Sequence, residues 1–128
     1  MKDEQMKLIA VWLGALILTL GAVNLWSQNT VVVHQKPMFA QMLAGTVRVG
    51  HGGKVATAVR VEQCTRNWKD VKSSTLTDDN GHFEFTTVPE GIYYLRFVGP
   101  DLTTTLITVR IRKSAPRELS ITIRTRPF

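Results

Sequence analysis

From Leu43 onward, apolar and polar side chains alternate in short runs, the period-two signature of strands with one buried face. The pattern predicts about seven strands. The first is Leu43–Val49, with Val47 and Val49 inward and Thr46 and Arg48 outward. The second is Ala56–Cys64, with Val59 and Val61 inward and Arg60 and Glu62 outward, and the third is Ser73–Thr77. In the fourth, Phe83 and Phe85 alternate with His82, Glu84 and Thr86. Tyr93, Leu95 and Phe97 resume that phase in the fifth. The sixth, Thr104–Arg112, sets Thr105, Ile107, Val109 and Ile111 on one face. The seventh, Glu118–Arg124, buries Leu119, Ile121 and Ile123. The expected core is Val59, Val61, Phe83, Phe85, Tyr93, Leu95, Ile107 and Ile121.

Turn chemistry separates these runs. Asp79-Asn80-Gly81 tolerates positive φ and reads as a short hairpin connection, with Gly81 in the left-handed region and Asp78 of little consequence. Pro89-Glu90-Gly91 makes the next turn. Gly50-His51-Gly52-Gly53-Lys54 is too glycine-rich for an element interior. It lacks the Lys-Ser/Thr and following helix of a phosphate-binding loop, so it reads as a turn. Short strands between turn signals, with no helical period after Leu43, predict an all-β sandwich.

The N-terminal part is different in kind. Lys2 and Lys7 precede an uninterrupted apolar run from Leu8 to Ala22. Residues 1–27 read as a signal peptide or membrane anchor. As a helix, Leu8–Trp26 would span about 28 Å, the edge of what a bilayer core requires. The leading lysines place the following domain outside the cytoplasm in either case. Residues 28–42, broken by Pro37, read as a linker; Val31-Val32-Val33 is either a short edge strand or part of the tether, and the tether is the preferred reading. The sandwich domain is then 43–128.

Composition narrows the partners. Sixteen Lys and Arg against ten Asp and Glu leave a formal charge of +6. Loss of residues 1–27 would not change it. The basic residues are scattered, which suits solubility and a general preference for anionic partners, and no nucleic-acid partner is expected. Arg48, Arg60, Arg96, Arg110, Arg112 and Arg124 are expected on solvated strand faces, where they discourage edge pairing. Cys64 is the single cysteine, so no intrachain disulfide can form.

No catalytic or cofactor site is expected. His34, His51 and His82 are not at metal-ligand spacing. Asp78, Asp79 and Asn80 are consecutive, whereas a calcium loop alternates its oxygens. No Ser or Thr is distinguished by a base and an orienting partner. The candidate ligand-binding residues are Trp68 with Arg66, Asn67 and Lys69, in the longest polar loop, Thr65–Lys72. A tryptophan there suits stacking on a pyranose, with its neighbours bonding hydroxyls; the alternative is that Trp68 folds back to cap the sandwich.

The stretch Thr77-Asp-x-Asn-Gly-x-Phe-x-Phe85, followed by Pro89-x-Gly-x-Tyr-x-Leu95, resembles the carboxypeptidase regulatory-like domain. The resemblance covers roughly Leu43 to Arg124, with Gly45-Thr46-Val47 and Val59-Arg60-Val61 at two further family positions. It implies a transthyretin-like (prealbumin-like) sandwich, among the broader carbohydrate-binding-like folds. One departure is Gly99-Pro100-Asp101-Leu102, where members often carry Gly followed by an aromatic. Hydroxyisourate hydrolase resembles the chain in architecture, but its Tyr-Arg-Gly-Ser ending is missing from Arg124-Thr-Arg-Pro-Phe128. The expectation is an exported, non-catalytic binding or interaction module with a carbohydrate or an envelope protein as partner. The second expectation is a structural spacer in an envelope assembly.

Overall fold

The computed structural model describes residues 31–50 and 52–126. The apolar run and the 1–27 signal or anchor lie outside them. The described residues are all-β, with ten short strands in two sheets. They are β1 (Val32–His34), β2 (Met38–Ala40), β3 (Ala44–Val49), β4 (Lys54–Val55), β5 (Arg60–Cys64), β6 (Val71–Leu76), β7 (His82–Glu84), β8 (Gly91–Val98), β9 (Thr104–Ile111) and β10 (Leu119–Ile123).

The large sheet runs β1-β9-β8-β5-β6, with β2 beside β1 along the same edge of β9. The small sheet runs β10-β3-β4, with β7 also on β3. One core lies between them. Val61, Leu95, Phe97, Ile107 and Val109 of the large sheet pack with Val47, Phe83, Ile121 and Ile123 of the small one. The rings of Phe83 and Phe97 meet edge to face across the layers at 5.6 Å. Burying each such side chain stabilises the fold by roughly 1.5–3 kcal/mol.

The inward and outward phases expected from alternation hold for β3, β9 and β10. Phe85 and Tyr93 are only half-buried at the margin of the core. The chain leaves β7 after Glu84, so Phe85 sits on the crossing segment, and the Tyr93 hydroxyl reaches out to donate to the Pro89 carbonyl at 2.6 Å.

Three expectations about connectivity are corrected. First, residues 31–42 are not a bare tether. β1 and β2 pair in parallel with β9, and the compact unit begins at Val31. Pro37, which has no N–H, falls in the break between the two pairings. Second, Ala56–Cys64 is not one strand. Ala58 turns with φ 55°, and the chain passes from β4 in the small sheet to β5 in the large one. Third, Asp78–His82 is not a hairpin connection. β6 and β7 lie in different sheets, and Pro89–Gly91 carries the chain back to β8 in the large sheet.

The Asp78 turn is nevertheless tight. Gly81 N–H donates to the Asp78 carbonyl, and Asp78 N–H to that of His82, both at 2.9 Å. Gly81 has φ 75°, as expected of it. A β-carbon there would stand 2.6 Å from the Val47 carbonyl oxygen. Asp78 is not inconsequential: its Oδ1 accepts from the N–H groups of Asn80 and His82, each at 2.9 Å. The His82 N–H foremost, with that of Asn80, holds the Asp78 carboxyl below its ordinary pKa.

Candidate functional site

The Trp68 loop is positioned by its own backbone. Thr65 N–H donates to Asp70 O and Trp68 N–H to Thr65 O, both at 2.9 Å, and Trp68 takes φ 66°. Asn67 Oδ1 accepts from the Thr65 hydroxyl at 2.8 Å and the Lys69 N–H at 3.1 Å. That carbonyl is therefore occupied within the loop. Arg66, Asn67 and Lys69 are exposed, whereas Trp68 is half-buried.

Trp68 neither caps the end of the sandwich nor stands free. Its ring meets Tyr94 edge-on at 5.4 Å and His34 at 6.0 Å. Tyr94 and His34 belong to β8 and β1, on the outer face of the large sheet. The loop lies over that face. Glu62 points outward as expected, yet it is buried beneath the loop. Arg96 Nε donates to Glu62 Oε1 at 2.6 Å, and Arg60 Nε lies 3.1 Å from Oε2. Arg96 also donates through Nη1 to the Trp68 carbonyl at 3.0 Å, joining the sheet to the loop. Arg96 is thus a partly buried linker, a departure from the solvated role expected of it. Cys64 is buried in the same region, and burial pushes its thiol above the ordinary pKa despite Arg96 nearby, so the thiol form persists.

A second feature has no counterpart in the sequence reading. A groove of ≈ 1060 Å³ runs along one side of the sandwich, between β10 and β1–β2. Among the described residues its lining is hydroxyl-rich, with Thr103, Thr105, Ser120 and Thr122, and carries Lys36 and Arg124 but no acid. Two clasps close its ends. At one, Thr103 donates to the Arg124 carbonyl through N–H at 3.0 Å and Oγ1 at 3.1 Å. At the other, Gln41 donates to the Pro116 carbonyl at 2.8 Å and, through Nε2, to Ala115 O at 2.9 Å.

Between the clasps, β10 presents an open edge. It pairs in parallel with β3, and the Ile123 carbonyl accepts from Gly50 N–H. In a parallel ladder alternate residues bond to each side, so Leu119, Ile121 and Ile123 face β3. The backbone groups of Ser120 and Thr122 face the groove. Among the described residues only the Thr122 carbonyl is met, by Gln35 Nε2 at 2.8 Å. Ser120 and Thr122 were legible as outward positions. That their strand is an edge was not, because its neighbour across the groove read as a tether.

Among the described residues no group of three or more His, Cys, Asp or Glu could hold a metal ion. No family model matches the chain, and no curated protein matches it.

Proposed function

We propose that the chain is an exported, non-catalytic binding module of the cell envelope, and that it takes an extended polypeptide segment of a partner protein into the groove beside β10. The open β10 edge carries this reading. Strand N–H and C=O groups without a partner among the described residues, in a slot clasped at both ends, suit addition of one more strand. Lys36 and Arg124, with no acid among the described lining residues, favour a segment bearing acidic side chains. Kinship with the carboxypeptidase regulatory-like domains is part of the same proposal and rests on the Thr77–Leu95 motif. Export rests on Leu8–Ala22 and the lysines before it.

A glycan is the second reading, favoured by the hydroxyls of the groove. The Trp68 loop serves it less well, because the ring packs edge-on against Tyr94 and His34 and the Asn67 carbonyl is already bonded.

A photo-crosslinking residue at position 122, compared with one at exposed position 79 in the turn on the opposite side of β3 from β10, tests the proposal in intact envelopes. The expected result is a discrete protein adduct from position 122 alone. Ser120→Pro, which removes a groove-facing N–H outside the β3 ladder, should abolish it. Glycan binding that requires Trp68 and survives Ser120→Pro would overturn the strand-addition reading.

A further inference from the structure

By register, the outer face of the large sheet carries Val32 and His34 from β1, Phe39 from β2, Leu106 and Arg110 from β9, and Ile92 and Tyr94 from β8. This face is unusually apolar for an exposed one. Val32, Phe39 and Ile92 are 51%, 41% and 46% exposed, and Leu76 and Val71 are exposed on β6 at the opposite edge of the sheet. At the Phe39 end, a hollow of ≈ 370 Å³ is lined by Pro37, Phe39, Ile92, Thr108, Arg110 and Arg112. The Arg112 guanidinium stacks 4.2 Å from the centre of the Phe39 ring, which orients its N–H fork without neutralising it.

Charge on this face is one-sided. Arg66 and Lys69 stand exposed on the Trp68 loop, and Arg110 and Arg112 at the hollow. Among the described residues, neither Arg110 nor Arg112 has a carboxylate partner. Glu62 is held by Arg96 and Arg60, which leaves Asp70 as the acid of the loop. Near the hollow, Glu90 accepts from the Lys113 backbone N–H at 3.2 Å.

We propose that this face lies flat on the surface of an anionic bilayer. Val32, Phe39 and Ile92 would enter the headgroup boundary, Arg110 and Arg112 would hold lipid phosphates, and half-buried Trp68 would sit at headgroup level. Chain geometry supports the choice of a bilayer over a soluble anion. Four residues, 27–30, separate Trp26 from Val31. Fully extended they span at most about 14 Å. A membrane segment at 8–26 therefore delivers β1, the edge strand of this face, to the membrane surface. The inference rests on the reading of residues 8–26 as an anchor.

The full-length chain with Cys64→Ala, reconstituted in vesicles, provides the test. Single cysteines at Phe39→Cys, Ile92→Cys and, on the far sheet, Arg48→Cys carry a polarity-sensitive fluorophore. In phosphatidylcholine vesicles containing phosphatidylglycerol, probes at 39 and 92 should shift to the blue and the probe at 48 should not. The shift should vanish in phosphatidylcholine alone, in high salt, and with Arg110→Glu plus Arg112→Glu. Vesicle-bound protein whose probes at 39 and 92 stay as wet as that at 48 overturns the docked face while leaving the anchor intact. A chain that fails to float with vesicles of either composition overturns the anchor, and this inference with it.

Discussion

The Thr77 hydroxyl donates a 2.6 Å hydrogen bond to the Ala56 carbonyl and accepts one of 2.9 Å from the Val59 N–H. A buried side chain at the end of β6 thus holds both sides of the corner at which the chain passes from the small sheet to the large one. The backbone of Thr77 completes the arrangement, donating to Val59 O and accepting from Ala58 N–H. Thr77→Val keeps the shape and leaves a buried carbonyl and N–H unmatched. It should cost about 2–4 kcal/mol in urea unfolding, with Thr77→Ser recovering most of the loss. Equal stability of the Val and Ser variants would mean that the corner does not depend on the hydroxyl.

Gly81 stands between β4 and β7 along the edge of β3 opposite β10, and its carbonyl accepts from Val47 N–H at 2.8 Å. Gly81→Val must place a β-branched residue at φ 75° with its Cβ against the Val47 oxygen. The expected loss exceeds about 2 kcal/mol. Gly81→Ala should lose less, and thermal melts of the pair would show the order.

Asp78 gives the fold an acid-sensitive joint. Its folded pKa is depressed by the N–H groups it accepts from, so its contribution is complete above the ordinary aspartate pKa. It is lost as pH falls through the folded value. Stability of the wild type should therefore decline on acidification with a component that Asp78→Asn lacks. Parallel pH–stability curves for the two proteins would remove Asp78 from the account.

Glu62 and Arg96 form a partly buried pair that also anchors the Trp68 carbonyl. Glu62→Ala leaves a guanidinium with little solvent and should cost roughly 2 kcal/mol, less than for a fully buried pair. Arg96→Lys, with no planar fork, should loosen residues 65–70. Faster amide exchange in that loop is the expected readout.

Trp68→Ala should lower stability by about 1–3 kcal/mol, because the ring covers part of a sheet face and meets two other rings. An unchanged melting temperature together with lost glycan binding would restore the stacking-platform reading of this residue.

Alternation in the chain determined the inward phase of the main strands. Val61, Phe83, Leu95, Ile107 and Ile121 are inward because a strand has only two faces and one of each is apolar. Turn chemistry likewise located the sharp bend at Gly81, since few residues other than glycine accept that φ. Sheet membership was settled only by the tertiary structure. Both sheets of a sandwich bury their inner faces in one core, so a strand that changes sheets keeps the same inward phase; β6, β7 and β8 therefore read as a meander while alternating between sheets. Edge pairing was hidden for a related reason. β1 and β2 are three residues each, too short for a period to register, and they are held by the ladder of β9, which lies about seventy residues away in sequence. The groove, the Glu62–Arg96 pair and the seat of Trp68 all depend on such long-range neighbours, which local propensity does not encode.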